Sequence, residues 1–451
     1  MTSKLAFAVL AAALFAPVAR AQEPTLSAAD LKKLQGMVQK WFEPWHESRE
    51  LSPEDKRQRK LQSDAAKERE KVVKEWETRS KKADLLGSMV DLRAIFAQPF
   101  SHARINGSGL LKSEKATDRV PAHAVFIPKT YKAEDAPLRA IVVLPGMNGE
   151  KWQGAREYFA DTWEGTTATE NSFFVVADVP EGMDFDPLPD YSQPNGEVVE
   201  SSRIKQVLLP MGSQLKPLNY DRNRLFLDCG KGNSAFGLRL ASYFPYRFAG
   251  IVVRDPVALP PEVRLGSLMG LPVLLLASAE TKAACDALSK ALNDLEGGKC
   301  TVLEGKGAYP WKESQPEIEA WIGSQLRPVD RTKLIVEPNS DKFRKVHWAN
   351  ITQADPLLGT APDKRVRLVV EADRSANRIK VETRGVEQFQ LLLNDSIVDL
   401  SREFTVDVNG KLFTEKRVRS FSFMTEQLMT AFDPTWIFTA EYSVQVPKAE
   451  K

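Results

Sequence analysis

Cysteine and histidine are scarce in this sequence, and each scarcity narrows what the protein can be. The 451 residues include three cysteines and four histidines. Three cysteines exclude a scaffold built from disulfides and a cysteine-rich metal cluster. In an oxidising compartment Cys285 and Cys300 could pair, whereas Cys229 is expected to be a small buried side chain.

An excess of charge is missing as well. Lysine and arginine number 62 and aspartate and glutamate 60, which gives a formal net charge of +2. The chain therefore has no global positive field to recruit nucleic acid or anionic lipid. Apolar residues nonetheless make up 43% of the sequence, too many for a disordered chain. At about 150 residues per domain, the length predicts about three domains.

Long apolar runs are absent beyond the first 21 residues, which have the pattern of a secretory signal peptide. Lys4 supplies the positive charge, Leu5–Val18 the apolar stretch, and Ala19-Arg20-Ala21 a cleavage site before Gln22. The sequence thus predicts cleavage after Ala21 and a soluble, secreted or periplasmic protein without a membrane span. The alternative is an uncleaved membrane anchor, which the shortness of the apolar run disfavours.

Residues 22–98 are predicted to form a charged helical region. Apolar residues recur at helical spacing before Pro44, which is expected to end the first helix. A second helix, rich in alternating charges, is predicted from Ser52-Pro53-Glu54-Asp55 to about Lys82, and a third, apolar helix follows it. The charged helix is either a partner-binding coiled coil or a solvated arm packed on its neighbour. Because no heptad repeat persists, the arm is favoured.

Residues 119–327 alternate short apolar strands with helices, which predicts a parallel sheet covered on both faces. The predicted strands are Ala122–Ile127, Arg139–Leu144, Ser172–Ala177, Leu225–Asp228, Gly250–Arg254, Val273–Ala277 and Thr301–Leu303. Helices are predicted between several of them, for example Gly237–Phe244 and Thr281–Leu295.

Residues 331–447 change to a period of two, which predicts a β-rich, sandwich-like module joined through Arg327-Pro328. Turns are predicted at Asn394-Asp395 and Asn409-Gly410, and one helix at about Met424–Phe432. The predicted strands are Lys333–Glu337, Arg367–Glu371, Arg378–Thr383, Phe389–Leu393, Phe404–Val408 and Ile437–Val446.

An ordered series of motifs in the central region resembles the α/β-hydrolase superfamily, in particular secreted esterases, poly-hydroxybutyrate depolymerases and the catalytic domains of prolyl oligopeptidases. The motifs are Val120–Pro128 followed by Tyr131, Pro137-Leu138 leading into Val142–Gly149, Tyr220–Leu227, Gly237–Ala241, and Phe244–Gly250. The resemblance implies an α/β fold whose parallel sheet is covered by helices, between the N-terminal helical arm and the C-terminal β-rich module.

The nucleophile elbow of that superfamily, G-x-S-x-G, is degenerate here. That motif places the nucleophilic serine at a strained turn between a strand and a helix. The corresponding stretch is Cys229-Gly230-Lys231-Gly232-Asn233-Ser234, and its register on the following helix puts Lys231 at the nucleophile position. A lysine cannot act as the serine of an acyl-enzyme cycle. Ser234 is an outside candidate, but it lies one helical turn too late and Phe236 replaces the final glycine of the motif.

The base of the triad is missing too, which leaves an acid at Glu280 with no imidazole to orient. In this fold the acid follows the nucleophile and the histidine comes last. The resemblance places the acid at Glu280 and the histidine at about Ala308. The histidines of the chain are elsewhere: His46, His102, His123 and His347. Only His347 follows the elbow, and it lies in the β-rich module. The sequence therefore predicts no catalytic residue, and Lys231, Glu280 and Ala308 mark degenerate triad positions.

What remains of the site could still bind an anion. The backbone N–H groups of Met147 and Gly232, together with Lys231, would form a cationic cleft floor suited to a carboxylate. The equally weighted alternative is that Lys231 pairs with Glu280 or Asp255 as a structural ion pair.

In the insertion Asp184–Leu215, Asp184-x-Asp186 could suggest a calcium site, but it lacks the spacing of an EF-hand loop. The insertion is expected to be a proline-rich lid over the cleft. No metal and no cofactor are predicted. A group of aromatic residues could line a glycan or peptide groove, although burial in the core is the expected role: Trp152, Tyr158, Trp163, Tyr309 and Trp311.

Three functional hypotheses follow. The first is an exported pseudo-hydrolase that binds an anionic small molecule, a peptide or a glycan, or docks a protein through its N-terminal helices or its β-rich module. The second is an active secreted carboxylesterase or serine peptidase with a non-standard nucleophile such as Ser234. The third is a structural protein of the cell envelope.

Overall fold

The computed structural model describes residues 24–447 except 53, 98, 106–108, 181–182, 191–192, 194, 260–262, 339, 358–363 and 432. The predicted signal peptide lies outside the described residues. Among the helices of the described residues, none is both long and apolar enough to span a bilayer.

The N-terminal region is helical, as predicted. It contains helices α1 (Ala28–Glu50), α2 (Lys56–Ser80) and α3 (Met89–Ile95). Helix α1 begins where the Ser27 hydroxyl accepts a hydrogen bond from the Asp30 N–H at 3.1 Å, and α2 begins where the Asp55 carboxylate caps the Arg57 N–H at 2.8 Å.

The prediction that Pro44 ends the first helix is wrong, because Pro44 lies inside α1. Proline in a helix interior removes one backbone hydrogen bond and normally breaks the helix. Here the residues around it, Trp41, Phe42 and Trp45, pack into the same apolar cluster. That shared burial outweighs the local penalty.

The charged helix α2 packs on its own chain. Its buried residues Ala65, Val72 and Trp76 join α1, α3 and part of the C-terminal module in one apolar cluster. Trp76 contacts Phe421, the first residue of the C-terminal helix, with ring centroids 4.7 Å apart. This packing agrees with the interpretation of α2 as a solvated arm lying on its neighbours.

The central region forms a mixed sheet in the described residues, with strand order β1-β2-β6-β3-β7-β8-β9-β10. Its strands are β1 (Lys112–Glu114), β2 (His123–Phe126), β3 (Leu138–Leu144), β6 (Ser172–Ala177), β7 (Tyr220–Cys229), β8 (Gly250–Arg254), β9 (Val273–Ala277) and β10 (Cys300–Glu304). Strands β4 (Met147–Asn148) and β5 (Lys151–Trp152) form a separate short ribbon. From β6 to β10 in this order, neighbouring strands are parallel, whereas β1 and β2 are antiparallel to their neighbours.

Helices cover both faces of this sheet, as the sequence predicted. The helices are α4 (Ala155–Thr162), α5 (Ala168–Asn171), α6 (Gly196–Leu215), α7 (Ser234–Tyr243), α8 (Lys282–Asn293) and α9 (Gln315–Ser324). Helices α6, α7 and α8 contribute to one apolar cluster, and α4 and α9 contribute to the cluster on the other face. Successive residues of each central strand point alternately into the two clusters.

The expectation of a lid at Asp184–Leu215 is wrong. Most of that insertion is helix α6, whose residues Ile204, Val207 and Met211 are buried in the core cluster. These apolar residues recur at helical spacing, so the helix packs its apolar face on the sheet even though the segment contains prolines.

The C-terminal module is a sandwich of two sheets in the part of the chain that the structure describes, with orders β11-β14-β15-β17-β18 and β12-β13-β16-β19. The strands are β11 (Lys333–Val336), β12 (Lys345–Val346), β13 (Ala349–Ala354), β14 (Arg367–Asp373), β15 (Arg378–Arg384), β16 (Val386–Leu393), β17 (Phe404–Val408), β18 (Lys411–Glu415) and β19 (Ala440–Gln445), and helix α10 (Phe421–Ala431) precedes the last of them. Both sheets contribute to one apolar core. The predicted turn at Asn409-Gly410 joins β17 to β18, with positive φ angles of 52° and 89°.

Candidate functional site

The strand-to-helix turn after β7 is the topological equivalent of the nucleophile elbow. Strand β7 ends at Cys229 and α7 begins at Ser234, so Lys231 lies in the turn, as the sequence register predicted. The positive φ of this turn, 85°, belongs to Gly232. Gly230 is required because a Cβ there would lie 2.5 Å from the Cα of Gly146, where two backbone segments meet.

Lys231 is engaged through each of its three polar groups. Its N–H donates to the Tyr309 hydroxyl at 2.7 Å, and its carbonyl accepts from the Met147 N–H at 2.9 Å. Its ammonium lies 2.9 Å from the Asp255 carboxylate, although the Lys231 side chain is 45% exposed. The Met147 N–H, one expected oxyanion donor, is therefore occupied by the protein itself.

The partner of Lys231 sits in its own polar network. Asp255 is 4% exposed, and its carboxylate also accepts hydrogen bonds from Ser278 at 2.7 Å and Thr281 at 2.6 Å. Burial alone would raise the pKa of Asp255, but the bonds from Thr281, Ser278 and Lys231 outweigh it and lower the pKa. Glu280 is exposed. Of the two alternatives for Lys231, the geometry favours the structural ion pair, with Asp255 as the partner.

A buried pair of opposite charges supports the turn from below. Asp228 and Arg254, both 0% exposed, follow apolar runs in the adjacent strands β7 and β8. The Arg254 Nε donates to Asp228 Oδ1 at 2.9 Å, and the Trp163 indole N–H donates to Asp228 Oδ2 at 2.8 Å. Burial alone would lower the pKa of Arg254, but Asp228 raises it above its ordinary value.

The loop after β10, where the triad histidine was expected, delivers a tyrosine instead. Ala308 is exposed, and Tyr309 reaches the backbone of Lys231. Arg254 fixes this loop by donating to the Pro310 carbonyl at 2.8 Å. Burial raises the pKa of Tyr309 to about 12, so its phenol is neutral near pH 7. From the sequence, Tyr309 is expected only as a core or groove aromatic.

The histidines have other places in the fold. His123, on β2, contacts the Pro121 carbonyl at 2.8 Å and the Gln214 amide at 2.9 Å. His46 lies in α1 and packs against Phe100, with ring centroids 4.6 Å apart. His102 lies between α3 and β1, and His347 lies in the turn between β12 and β13.

Ser234 is buried, with 1% of its surface exposed, in the first turn of α7. Its hydroxyl donates to Asp186 at 3.3 Å, and Asp186 also caps the Phe236 N–H at 2.9 Å. Asp186 therefore caps the N-terminus of α7, and the Ser234 hydroxyl is buried against this cap.

The aromatic residues around the turn are mostly core. Tyr158 and Trp163 are 0% exposed and Trp311 is 4% exposed, so the expectation of burial is confirmed for them. Trp152 and Tyr309 are partly exposed.

Four cavities lie away from this turn. Two of them, of about 80 and 210 Å³, share Tyr246, Arg327 and Trp436 at the junction of the central sheet with the C-terminal module. Others, of about 500 and 260 Å³, lie beside the start of β2 and beside the start of β7.

No family model and no curated protein matches this sequence. Solved structures with a similar fold include a thermostable esterase, at a TM-score of 0.35 and 17% identity over 48% of this chain and 63% of the esterase. An S-formylglutathione hydrolase from Agrobacterium tumefaciens is similar at a TM-score of 0.36 and 14% identity, over 48% of this chain and 94% of that enzyme. A structure described as a putative dipeptidyl aminopeptidase IV from Bacteroides ovatus is similar at a TM-score of 0.37 and 14% identity, over 48% of this chain and 36% of that protein.

The chain thus spans less than two thirds of the esterase, and these likenesses concern the fold alone. The topology itself is more informative. In the central sheet β2 is antiparallel to its neighbours, and a sharp turn joins β7, the fifth strand in the order, to helix α7, the kind of strand-to-helix turn that carries the nucleophile elbow in an α/β-hydrolase sheet. The central domain of this protein is an α/β-hydrolase fold.

Proposed function

We propose that this protein is exported and binds a ligand or a partner without hydrolysing it. The observation that carries the proposal is the state of Lys231, whose N–H, carbonyl and ammonium are all engaged by other groups of the chain at the nucleophile position.

Acyl transfer by this fold needs an activated nucleophile, a base and free oxyanion donors. An ammonium paired with a carboxylate carries no lone pair, so it neither attacks a carbonyl nor accepts a proton. The Met147 N–H donates a hydrogen bond to the Lys231 carbonyl, and the Tyr309 hydroxyl accepts one from the Lys231 N–H. These contacts turn the former reaction centre into a structural crosslink between three loops.

Labelling with a fluorophosphonate tests the absence of an activated serine. The sample is the mature chain beginning at Gln22, with heat-denatured protein as the background and Ser234→Ala as the matched variant. We expect labelling of the native protein no higher than the background. Labelling at Ser234, abolished in the variant, would overturn the proposal in favour of an active hydrolase.

Export is tested separately. When the full-length gene is expressed in a bacterium with a secretory system, we expect the intact mass of the extracellular or periplasmic protein to correspond to a chain starting at Gln22. A mass that retains residues 1–21, in a membrane fraction, would contradict the exported, soluble form.

A further inference from the structure

The cavity of about 210 Å³ between the central sheet and the C-terminal module has a cationic lining. Basic side chains line it from β7, the loop before β8, the segment after α9 and β12: Arg222, Arg247, Arg327 and Lys345. Among the described residues that line it, Asp433 alone is acidic. The cavity volume exceeds many-fold the roughly 10–15 Å³ that a single water molecule needs, so a small organic molecule has room there.

The carboxylate of the lining is already paired. Asp433 is 8% exposed, and its Oδ1 accepts hydrogen bonds from the Arg327 Nη2 at 3.2 Å and from the Thr435 hydroxyl at 2.7 Å. Arg327 is 6% exposed, and its Nη2 also donates to the Asn223 side-chain carbonyl at 3.0 Å. Arg327 and Asp433 therefore neutralise each other, which leaves the charges of the other three basic residues uncompensated.

Those three cations have no counterion in the described part of the chain. No carboxylate there lies within 4.0 Å of the charged nitrogens of Arg222, Arg247 or Lys345. Burial lowers the pKa of Lys345, whereas a carboxylate beside it would raise that pKa. Like charges that line one cavity repel each other, and an anion bound between them would remove that repulsion.

The charged groups are accessible to a ligand, since all three side chains are partly exposed. The Arg222 Nη1 donates to the Tyr220 hydroxyl at 2.9 Å, which leaves its Nε and Nη2 free to donate. The Arg247 guanidinium and the Lys345 ammonium have no hydrogen-bond partner among the described residues, and neither group is buried away from solvent. Hydrogen-bond donors with a positive charge are thus available at the cavity from three separate elements.

Aromatic rings position the three cations without neutralising them. Each charged group lies close to a ring centroid: Arg222 over Tyr220 at 5.0 Å, Arg247 over Phe244 at 5.3 Å, and Lys345 over Trp436 at 5.1 Å. A cation at this distance is attracted by the ring but keeps its full charge. Cations that are held in place before a ligand arrives lose less side-chain entropy when it binds.

The charge and the donors favour a phosphate group as the ligand. A phosphomonoester carries a charge of about −1.5 to −2 near pH 7 and three strong acceptor oxygens. Guanidinium groups bind phosphate oxygens in pairs, and an ammonium adds a compact charge. A monocarboxylate has one charge and two oxygens, so it would leave most of the positive charge uncompensated. Gln427 and Thr430 of α10 also line the cavity and can form hydrogen bonds with the hydroxyl groups of an attached organic part.

We propose that this cavity binds the phosphate group of a small molecule through Arg222, Arg247 and Lys345. The proposal gives a ligand class to the non-catalytic binding function and rests on it. The cavity is separate from the Lys231 turn, so the binding experiment and the labelling experiment can fail independently.

Isothermal titration calorimetry of the mature chain with glucose 6-phosphate and with inorganic phosphate tests this proposal. Glucose is the control without a phosphate group, and acetate is the control with a single carboxylate. We expect saturable binding of at least one phosphate compound and at least about tenfold weaker binding of glucose and of acetate, since charge-assisted hydrogen bonds are lost.

The two phosphate compounds also distinguish the source of the phosphate group. Tighter binding of glucose 6-phosphate would identify a phosphomonoester as the ligand, and equal or tighter binding of inorganic phosphate would identify free phosphate. Absence of binding by both compounds would overturn the proposal. Binding of glucose or acetate as tight as that of the phosphate compounds would overturn it too.

Two variants on different elements locate the site. Arg247→Met and Lys345→Met each remove one charge and keep an unbranched side chain, so each should weaken phosphate binding at least about tenfold. Neither breaks an ion pair, so the thermal midpoint of the ligand-free protein should fall by no more than about 4 °C through the loss of a ring contact.

Arg224→Met is the matched control. Arg224 lies on β7 like Arg222, but it is outside the cavity lining and pairs with Asp221 at 3.6 Å. Its loss should change the affinity for phosphate by less than about twofold. Binding that both Arg247→Met and Lys345→Met leave unchanged, or that Arg224→Met weakens as much as they do, would place the ligand elsewhere and refute the proposal.

Discussion

The buried charge pair beneath the elbow turn gives a quantitative prediction. Asp228 accepts from the Arg254 Nε at 2.9 Å, from the Arg254 Nη2 at 3.2 Å and from the Trp163 indole at 2.8 Å. In Arg254→Met the carboxylate stays buried with the indole as its remaining donor among these. Removing one partner of such a pair costs about 3–5 kcal/mol.

At about 2–4 °C per kcal/mol for a domain of this size, Arg254→Met should lower the thermal midpoint by about 6–20 °C. The assay is thermal unfolding of the mature chain followed by circular dichroism. Lys290→Met is the matched control, because its pair with Asp294 lies on the surface with side chains 76% and 62% exposed. This control should shift the midpoint by less than about 2 °C.

The double variant Asp228→Asn/Arg254→Met separates the charge pair from simple loss of packing. It removes both charges and keeps an acceptor for Trp163, so it should recover at least about half of the loss seen in Arg254→Met. Two results would refute the reasoning: a loss in Arg254→Met no larger than in the control, or a double variant that loses as much as Arg254→Met or more.

Three further predictions concern other parts of the fold. The three cysteines are free thiols, and burial raises the pKa of Cys285 and Cys300 to about 11. A thiol reagent at pH 8 should therefore react slowly with the native protein and titrate three thiols after unfolding. A count of one thiol would mean that Cys285 and Cys300 form a disulfide. Burial alone would raise the pKa of Asp433, but Arg327 outweighs it and lowers the pKa, so this carboxylate contributes stability above pH about 4 that is lost on acidification. Asp433→Asn should therefore be less stable at pH 7 and show a shallower loss of urea midpoint from pH 5 to about 2; an identical acid profile would contradict this. Pro44→Ala should stabilise the protein by about 1–3 kcal/mol in urea unfolding, since the helix continues through this position, and destabilisation would show that the proline is required there.

The strands of the central sheet could be predicted because each is a short apolar run. Ser172–Ala177, Gly250–Arg254 and Val273–Ala277 agree with the structure to the residue. Strands β13 and β18 were missed because their residues are largely polar or exposed, as Leu412 is at 62%. Their pairing with neighbouring strands stabilises them, and a single sequence does not display that pairing.

The candidate site was predictable in its register and only partly in its contacts. The motif register placed Lys231 in the turn, but the sequence left two acids, Asp255 and Glu280, as possible partners. The choice between them depends on loop geometry, which brings Asp255 to the ammonium and leaves Glu280 exposed. The contact of Tyr309 with the Lys231 backbone depends on the loop after β10, which has no sequence signal of its own. A signal did exist for Asp228 and Arg254: each is a charge at the end of an apolar strand in the interior of the sheet, where only a paired charge is tolerated.

The most direct test of the central claim, that Lys231 and its contacts replace the reaction centre, is steady-state hydrolysis of p-nitrophenyl acetate and butyrate by the mature chain. Wild type, Lys231→Ala and Ser234→Ala should all show the same slow release of p-nitrophenol, proportional to ester concentration and no faster than with an equal mass of serum albumin. Saturable turnover in the wild type that either variant abolishes would contradict the account.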